Sequence, residues 1–212
     1  MIPRIIHYCW FGASQMSDLQ RECVTSWKEK LSGYELIQWT EKDIPADLKI
    51  PQQHLKRREW AFAADYVRLW ALEQTGGIYL DVDVEVLKAF DPLLNDAAFV
   101  GEESPGRLAN GVLGSEESGA FVRHCREFME ERFADGKPLM LSPEVTTQVY
   151  AERCQDLRIY GPDFFYPFNP YCATRPRSQL LYRYVRPNTC LLYTSPSPRD
   201  ARKYLVCRLL LE

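Results

Sequence analysis

The sequence predicts an α/β domain with a mostly parallel central sheet flanked by helices, and three observations carry that expectation. The chain opens with strand, helix and strand patterns over residues 4–10, 17–30 and 34–39. A long, nearly apolar helix pattern over residues 55–74 then runs through Gly76-Gly77 straight into a hydrophobic strand. With 212 residues, 46% hydrophobic and 26% charged, the chain can bury the core that one such layered unit needs.

Taken in order, Ile5, Ile6, Tyr8 and Trp10 suit a short buried strand closed by Phe11-Gly12, with a ligand-facing loop after it. Ser17 or Asp18 is a plausible cap for an amphipathic helix reaching Lys30, and Gly33 stops it. Residues 34–39 form the second strand. The helix over 55–74 is apolar on nearly every face and is therefore largely buried, but Asp65 and Arg68 interrupt it at i and i+3, on one side. The double glycine supplies the left-handed residue that closes many helices. Beyond the next strand, residues 101–119 are rich in Gly, Ser and Glu and read as loops around a short strand at 111–113. Helices are expected near 119–132 and 144–154, separated by the Pro138 and Pro143 breakers. The segment 157–168, with Ile159-Tyr160 and Phe164-Phe165-Tyr166, reads as late edge strands. There is no internal repeat.

Composition excludes several classes. A net charge of -3, from 29 acidic and 26 basic residues, points toward neither nucleic acid nor an anionic membrane surface and suits a small or neutral partner better. Cys9, Cys23, Cys125, Cys154, Cys172, Cys190 and Cys207 have no metal-ligand spacing, which suits reduced thiols in a cytoplasmic protein. The N-terminus lacks the signature of a signal peptide, and no stretch reaches the roughly 18 apolar residues of a membrane span. The expectation is a cytoplasmic protein, at the inner face of the membrane at most, with peripheral association as the upper limit.

The chemistry concentrates at residues 78–86, where Ile78, Leu80, Val82, Val84 and Val86 alternate with Tyr79, Asp81, Asp83 and Glu85. If the strand stays extended, Asp81 and Asp83 stand about 6 to 7 Å apart on one side, from a rise of roughly 3.3 Å per residue. Carboxylates that close repel unless a cation or hydrogen bonds compensate them. Oxygen-only ligands select a hard ion, Mn²⁺ or Mg²⁺. A solvated acidic strand face is the alternative reading of the same residues. The upstream Asp65 and Arg68, and a position at the end of an inner strand, favour a ligand site.

The run Ala-Asp-Tyr-Val-Arg-Leu-Trp-Ala-Leu-Glu-Gln-Thr-Gly-Gly-Ile-Tyr-Leu-Asp-Val-Asp ending at Asp83 resembles the DxD glycosyltransferases of the GT-A fold, the family-32 group of capsular-polysaccharide and mannosyltransferase-like enzymes. The opening Ile-Pro-Arg-Ile-Ile-His-Tyr-Cys-Trp-Phe-Gly is similar to that family's first strand, and Ser142-Pro143-Glu144-Val145-Thr146 to its later Gly-Pro-x-x-x-Thr element. The resemblance covers about residues 1–190 and implies a single GT-A-like domain. By it, Asp81 and Asp83 hold a divalent ion and with it the diphosphate of a nucleotide sugar, a UDP-sugar in the first instance. Asp65 and Arg68 contact the donor sugar and ribose and, with Asp83, act in catalysis. Tyr8, Trp10 and the strand around His7 hold the base, Gly77 lies in the donor-binding turn, and Asn110 with Gly111 closes the sugar pocket. The implied reaction moves the sugar to a saccharide or lipid-linked acceptor, in a capsular-polysaccharide type of pathway, with retention of configuration.

For Asp65 and Arg68 a half-buried salt bridge is the alternative, for His7 a hydrogen-bonded core histidine, and for Trp10 a packing residue. Two other function classes use similar residues. Haloacid-dehalogenase-like phosphatases carry an aspartate pair after a strand, but near the N-terminus and with a second acidic pair later. A non-enzymatic cation- or sugar-binding module is the other, though Asp-Val-Asp-Val-Glu lacks the glycine and closing Glu of a twelve-residue calcium loop.

The family resemblance also implies a His-containing segment just after Pro187-Asn188-Thr189 as a further metal contact, and here Cys190 stands there instead, with neither His54 nor His124 a convincing substitute. Residues 191–212 form an anomalous tail. Its run Leu-Leu-Tyr-Thr-Ser-Pro-Ser-Pro-Arg-Asp resembles translated adapter or linker sequence; a Pro-rich linker into a short helix is the alternative.

Overall fold

The computed structural model describes residues 1–167 and 184–193. It is a mixed α/β structure around a six-stranded sheet in the order β2-β1-β3-β6-β5-β7, where β1 is Ile5–Cys9, β2 Glu35–Trp39, β3 Gly77–Leu80, β5 Ala98–Ser104, β6 Arg107–Ser115 and β7 Arg158–Tyr160. Pairing is parallel between β1 and β2, β1 and β3, and β5 and β7, while β6 is antiparallel to both neighbours. Only β6 therefore runs against the rest, which meets the expectation of a mostly parallel sheet. The helices are α1 Asp18–Lys30, α2 Lys49–Lys56, α3 Trp60–Thr75, α4 Ala120–Ala134, α5 Ser142–Glu152 and α6 Pro162–Phe165.

The sheet separates two apolar clusters. Ile6, Ile78, Leu80, Phe99 and Val112 pack on one side with Trp27 of α1, which is 0% exposed. Tyr79, Val100 and Leu113 pack on the other with Val67 and Leu72 of α3, Phe121 and Val122 of α4, and Val145 and Val149 of α5. Alternation along β3 thus sorts its side chains correctly, yet neither face is wet: all four residues of the strand are buried, as in a central strand with helices on both sides. The first helix begins as its sequence suggests. Ser17 and Gln20 form a reciprocal capping box, and Lys28 and Lys30 sit in the last turn, where the helix dipole favours cations.

The single strand expected over 78–86 is two. β3 ends at Leu80, a turn closes with Val84 N–H donating to Asp81 O at 3.2 Å, and the chain resumes as β4, Val84–Val86, in a second sheet. Two contacts from α1 draw β4 away: Trp27 Nε1 donates to Val84 O at 2.7 Å, and Val86 N–H donates to Ser26 Oγ at 2.9 Å. Strand β8, Leu191–Tyr193, pairs with β4 antiparallel and buries Leu191 and Leu192. The start of the expected tail is thus a packed strand; residues 194–212 lie outside the described residues.

The helix expected over 55–74 is also two. Arg58, at φ 56, breaks it in the left-handed region, and the buried His54 Nδ1 closes the break onto Glu59 Oε2 at 2.7 Å. No Gly or Pro marks that break, so periodicity runs across it. The loops expected over 101–119 are instead the β5–β6 hairpin, turned at Gly106 with φ +76. Two of the glycines that suggest loop are packing sites: a Cβ on Gly114 would stand 2.1 Å from Phe99 Cε1, and one on Gly101 2.6 Å from Tyr166 Cε2. Of the expected late edge strands, Ile159-Tyr160 lies in β7, whereas Phe164 and Phe165 lie in α6.

Candidate active site

The register Ile6↔Ile78 and His7↔Tyr79 brings the C-terminal ends of β1 and β3 to one edge of the sheet, where open α/β folds take their ligands. Asp81 follows β3 directly, and its N–H donates to Gly111 O of β6 at 2.9 Å. The turn after it carries Asp83, which is 9% exposed; the Asp81 side chain is 25% exposed. The two carboxylates therefore share a turn rather than one extended strand face.

Above this edge lies α3, whose i, i+3 spacing delivers Asp65 and Arg68 together. Arg68 is 4% exposed and every nitrogen of its guanidinium has an acceptor. Nη2 donates to Asp65 Oδ1 at 2.9 Å and lies 3.3 Å from Asp81 Oδ1; Nη1 donates to Asn110 O at 2.7 Å and Asn110 Oδ1 at 3.2 Å; Nε donates to Ala64 O at 3.4 Å. The group also stacks on the Tyr79 ring, 4.4 Å from its centroid. Burial opposes its charge, but Asp81, Tyr79 and Asp65 more than offset that, so its pKa stands above the ordinary arginine value. Asn110, itself 2% exposed, accepts at Oδ1 from Ser142 Oγ at 2.6 Å.

The structure thus gathers Asp65, Arg68, Asp81 and Asn110 into one buried network, with Asp83 in the adjoining turn. Arg68 is its hub, holding Asp81 and Asn110 in place with donors that are all engaged. Nearby thiol and phenol groups are held neutral: burial pushes the Cys9 thiol up to about 12 even though Arg68 works the other way, and burial raises Tyr79 and Tyr166 well above the usual tyrosine range.

Other expected positions fall elsewhere. Gly77 begins β3, at the end opposite Asp81, pressed so close to β1 that a Cβ would meet Ile5 O at 2.7 Å. Tyr8 points into the core on the α1 side, edge-on to Trp27 at 5.4 Å, with its hydroxyl donating to Gln38 Oε1 at 3.1 Å. His7 is fully buried: Trp39 Nε1 donates to its Nδ1 at 3.1 Å, which leaves Nε2–H to donate to Gly76 O at 2.9 Å. It is the hydrogen-bonded core histidine of the alternative reading. Trp10, just past β1 and half-buried, donates from Nε1 to Ser14 O at 2.9 Å and is placed at the site's edge of the sheet.

Sequence reasoning missed Tyr79 as the platform for Arg68, Ser142 as a partner of Asn110, and Tyr166, whose hydroxyl donates to Ala109 O at 3.1 Å and whose surroundings include Asp81. Tyr79 was findable, because alternation puts it on the same face as Asp81. Tyr166 was not, because only tertiary packing of α6 brings it there.

For a metal ion, Asp81 and Asp83 offer the hard oxygen donors that Mg²⁺ or Mn²⁺ prefers, and such ions are usually bound through one or two carboxylates with phosphate oxygens completing the shell. Among the described residues no group of three or more His, Cys, Asp or Glu stands ready to hold an ion without such help. The pair fits an ion shared with a phosphate ligand. Also among the described residues, no helix is long and apolar enough to cross a membrane, and Cys9, Cys23, Cys125, Cys154 and Cys190 are free thiols.

Residues 17–100 match the family model described as a glycosyltransferase sugar-binding region containing the DXD motif. Inositol phosphoceramide mannosyltransferase 3 of Schizosaccharomyces pombe is 29% identical over 129 residues, covering 57% of this chain and 35% of that protein. A mannosyl phosphorylinositol ceramide synthase of Saccharomyces cerevisiae is 30% identical over 125 residues, covering 54% of this chain and 32% of its own length. The chain spans about a third of the length of these curated relatives. Among solved structures, the PaToxG glycosyltransferase superposes with a TM-score of 0.58 at 18% identity, covering 72% of this chain and 70% of that one. A galactosyltransferase in complex with donor and acceptor sugar analogues superposes at 0.55 and 15% identity, covering 97% and 94%. The fold is that of the GT-A glycosyltransferases.

Proposed function

We propose that this chain, with a DXD sugar-binding region over residues 17–100 on a GT-A fold, is the transferase unit of a metal-dependent glycosyltransferase acting on a nucleotide-sugar donor. The observation that carries this reading is the ion pair between Arg68 and Asp81 at 3.3 Å, which holds one carboxylate of the acidic turn at the ligand edge of the sheet beside Asn110. Asp81 and Asp83 would hold Mn²⁺ or Mg²⁺ against the donor's diphosphate. The bound ion would supply neutralisation of the charge that gathers on the departing diphosphate. In the reaction the bond between the anomeric carbon and the diphosphate oxygen breaks, an acceptor hydroxyl oxygen takes its place, and the hydroxyl proton is released. Arg68 places a positive charge beside Asp65 and Asp81, and Asn110 offers a polar contact to the sugar.

The mannosyltransferase names of the curated relatives support a hexose as the transferred group and a lipid-linked acceptor bearing an inositol phosphate headgroup. The capsular acceptor implied by family resemblance has no such support. The phosphatase reading loses ground because β1 ends at Cys9 and is followed by Trp10, with no aspartate where an N-terminal nucleophile would stand.

The test is hydrolysis of UDP-glucose, UDP-galactose and GDP-mannose by the full chain, with and without Mn²⁺. Ion-dependent turnover of one donor supports the proposal. Failure of all three to bind, together with Mg²⁺-dependent phosphate release from p-nitrophenyl phosphate, would sink it.

A further inference from the structure

We propose that Ser142 is a positioning residue that sets the orientation of the Asn110 amide, and that the amide nitrogen so presented takes an oxygen of the transferred sugar. A guanidinium has donors and no acceptor, so the Asn110 atom 3.2 Å from Arg68 Nη1 is the carbonyl oxygen Oδ1. The same oxygen lies 2.6 Å from Ser142 Oγ, so the serine hydroxyl donates to it. Both lone pairs of Oδ1 are then taken. The planar amide turns Nδ2 away from Arg68 and Ser142, and among the described residues Nδ2 has no hydrogen-bond partner although Asn110 is 2% exposed. A buried donor without a partner costs free energy until a ligand oxygen meets it.

Its surroundings say which ligand. The next residue, Gly111, accepts at its carbonyl from Asp81 N–H at 2.9 Å, so the donor stands beside the acidic turn proposed to hold the diphosphate, where the attached sugar would lie. Ser142 itself is fixed. It is the first residue of α5, its carbonyl accepts from Thr146 Oγ1 at 3.0 Å, and α5 is pinned to β6 where Leu108 N–H donates to Thr147 Oγ1 at 3.0 Å. A hydroxyl held that firmly selects one of the two amide orientations. Without it, Oδ1 keeps one donor and the amide is free to turn.

The sugar assignment rests on the proposed transferase reading; the amide lock does not. The experiment compares the full chain with Ser142→Ala and Ser142→Thr by two measurements. The first is the side-chain amide ¹⁵N–¹H signal of Asn110, identified by its loss in Asn110→Asp. The second is calorimetric binding, with Mn²⁺, of UDP-glucose and GDP-mannose against UDP and GDP. Ser142→Ala is expected to shift the Asn110 signal and to weaken nucleotide-sugar binding about 3- to 10-fold, the loss of one hydrogen bond, while the bare nucleotides bind as before. Ser142→Thr, which keeps the hydroxyl, restores both. An Asn110 signal that Ser142→Ala leaves in place overturns the positioning role. Equal weakening of nucleotides and nucleotide sugars overturns the sugar assignment. Absence of all nucleotide binding in the unsubstituted protein defeats the transferase reading instead, and the amide shift still decides the role of Ser142.

Discussion

Arg68 and Asp81 stand 3.3 Å apart where α3 crosses the end of β3, and this pair links a buried cation to the partly buried acidic turn. Asp65 completes the pairing from the helix side at 2.9 Å, so one guanidinium serves two carboxylates and the Asn110 carbonyl. Removing it would take a cationic partner from both Asp65 and Asp81. Arg68→Met is expected to destabilise the fold by about 3 to 5 kcal/mol, because breaking a buried pair costs more than the pair itself contributes. Arg68→Lys recovers only part of this, since an ammonium cannot reproduce the planar fork. Urea denaturation of the two variants checks the order; equal stability of Met and wild type would refute it.

The acidic turn separates into two roles. Asp83→Asn is expected to reduce ion-dependent nucleotide-sugar hydrolysis by roughly 100-fold or more, the scale seen when one electrostatic stabiliser is lost. Asp81→Asn should do the same and also lower stability by about 1 to 3 kcal/mol, because it takes a charged partner from Arg68. Turnover and thermal melting, measured on both variants, distinguish the residues; full turnover by Asp83→Asn removes it from the site.

The β5–β6 hairpin depends on missing side chains. Gly114→Ala would drive a methyl to 2.1 Å from Phe99 Cε1, and since the ring is fully buried it has little room to give. A loss of about 1 to 3 kcal/mol is expected, typical of overpacking. The double variant Gly114→Ala with Phe99→Leu should lose less than the two single effects added together. Additive losses in chemical denaturation would show that the clash relaxes by another route.

His7 gives the fold a pH response. Burial lowers its pKa from the ordinary 6.5, with the Gly76 carbonyl acting only partly against that. The unfolded chain therefore binds a proton first, and between pH 6.5 and the lower folded value it holds more protons than the native state. Stability contributed by neutral His7 is complete above pH 6.5 and falls as the pH drops below it. Melting temperatures from pH 7.5 to 5 should decline less steeply in His7→Gln than in wild type. Parallel pH profiles would contradict this.

The positions of most elements were legible because each is written locally. The Ser17–Gln20 box starts α1, the double glycine ends α3, and period-2 alternation sorts Ile78 and Leu80 from Tyr79. The misreadings share one cause. Gly101 and Gly114 look like loop because their reason for being glycine, the rings of Tyr166 and Phe99, comes from distant residues or the neighbouring strand. The break at Arg58 is set by the buried His54–Glu59 contact, and the departure of β4 from the sheet is set by Trp27 and Ser26 of α1.

By itself the sequence determined the α/β layering, the acidic pair Asp81 and Asp83, and the shared helix face of Asp65 and Arg68, since periodicity and spacing act over a few residues. Only the tertiary structure decided that Arg68 spends all its donors on holding the site together, that Ser142 of α5 meets Asn110 of β6, and that Gly77, Tyr8 and His7 are closely packed within the sheet and its core. Those assignments depend on which buried polar atoms find partners, and partners 32 to 42 residues apart meet only after the chain has folded.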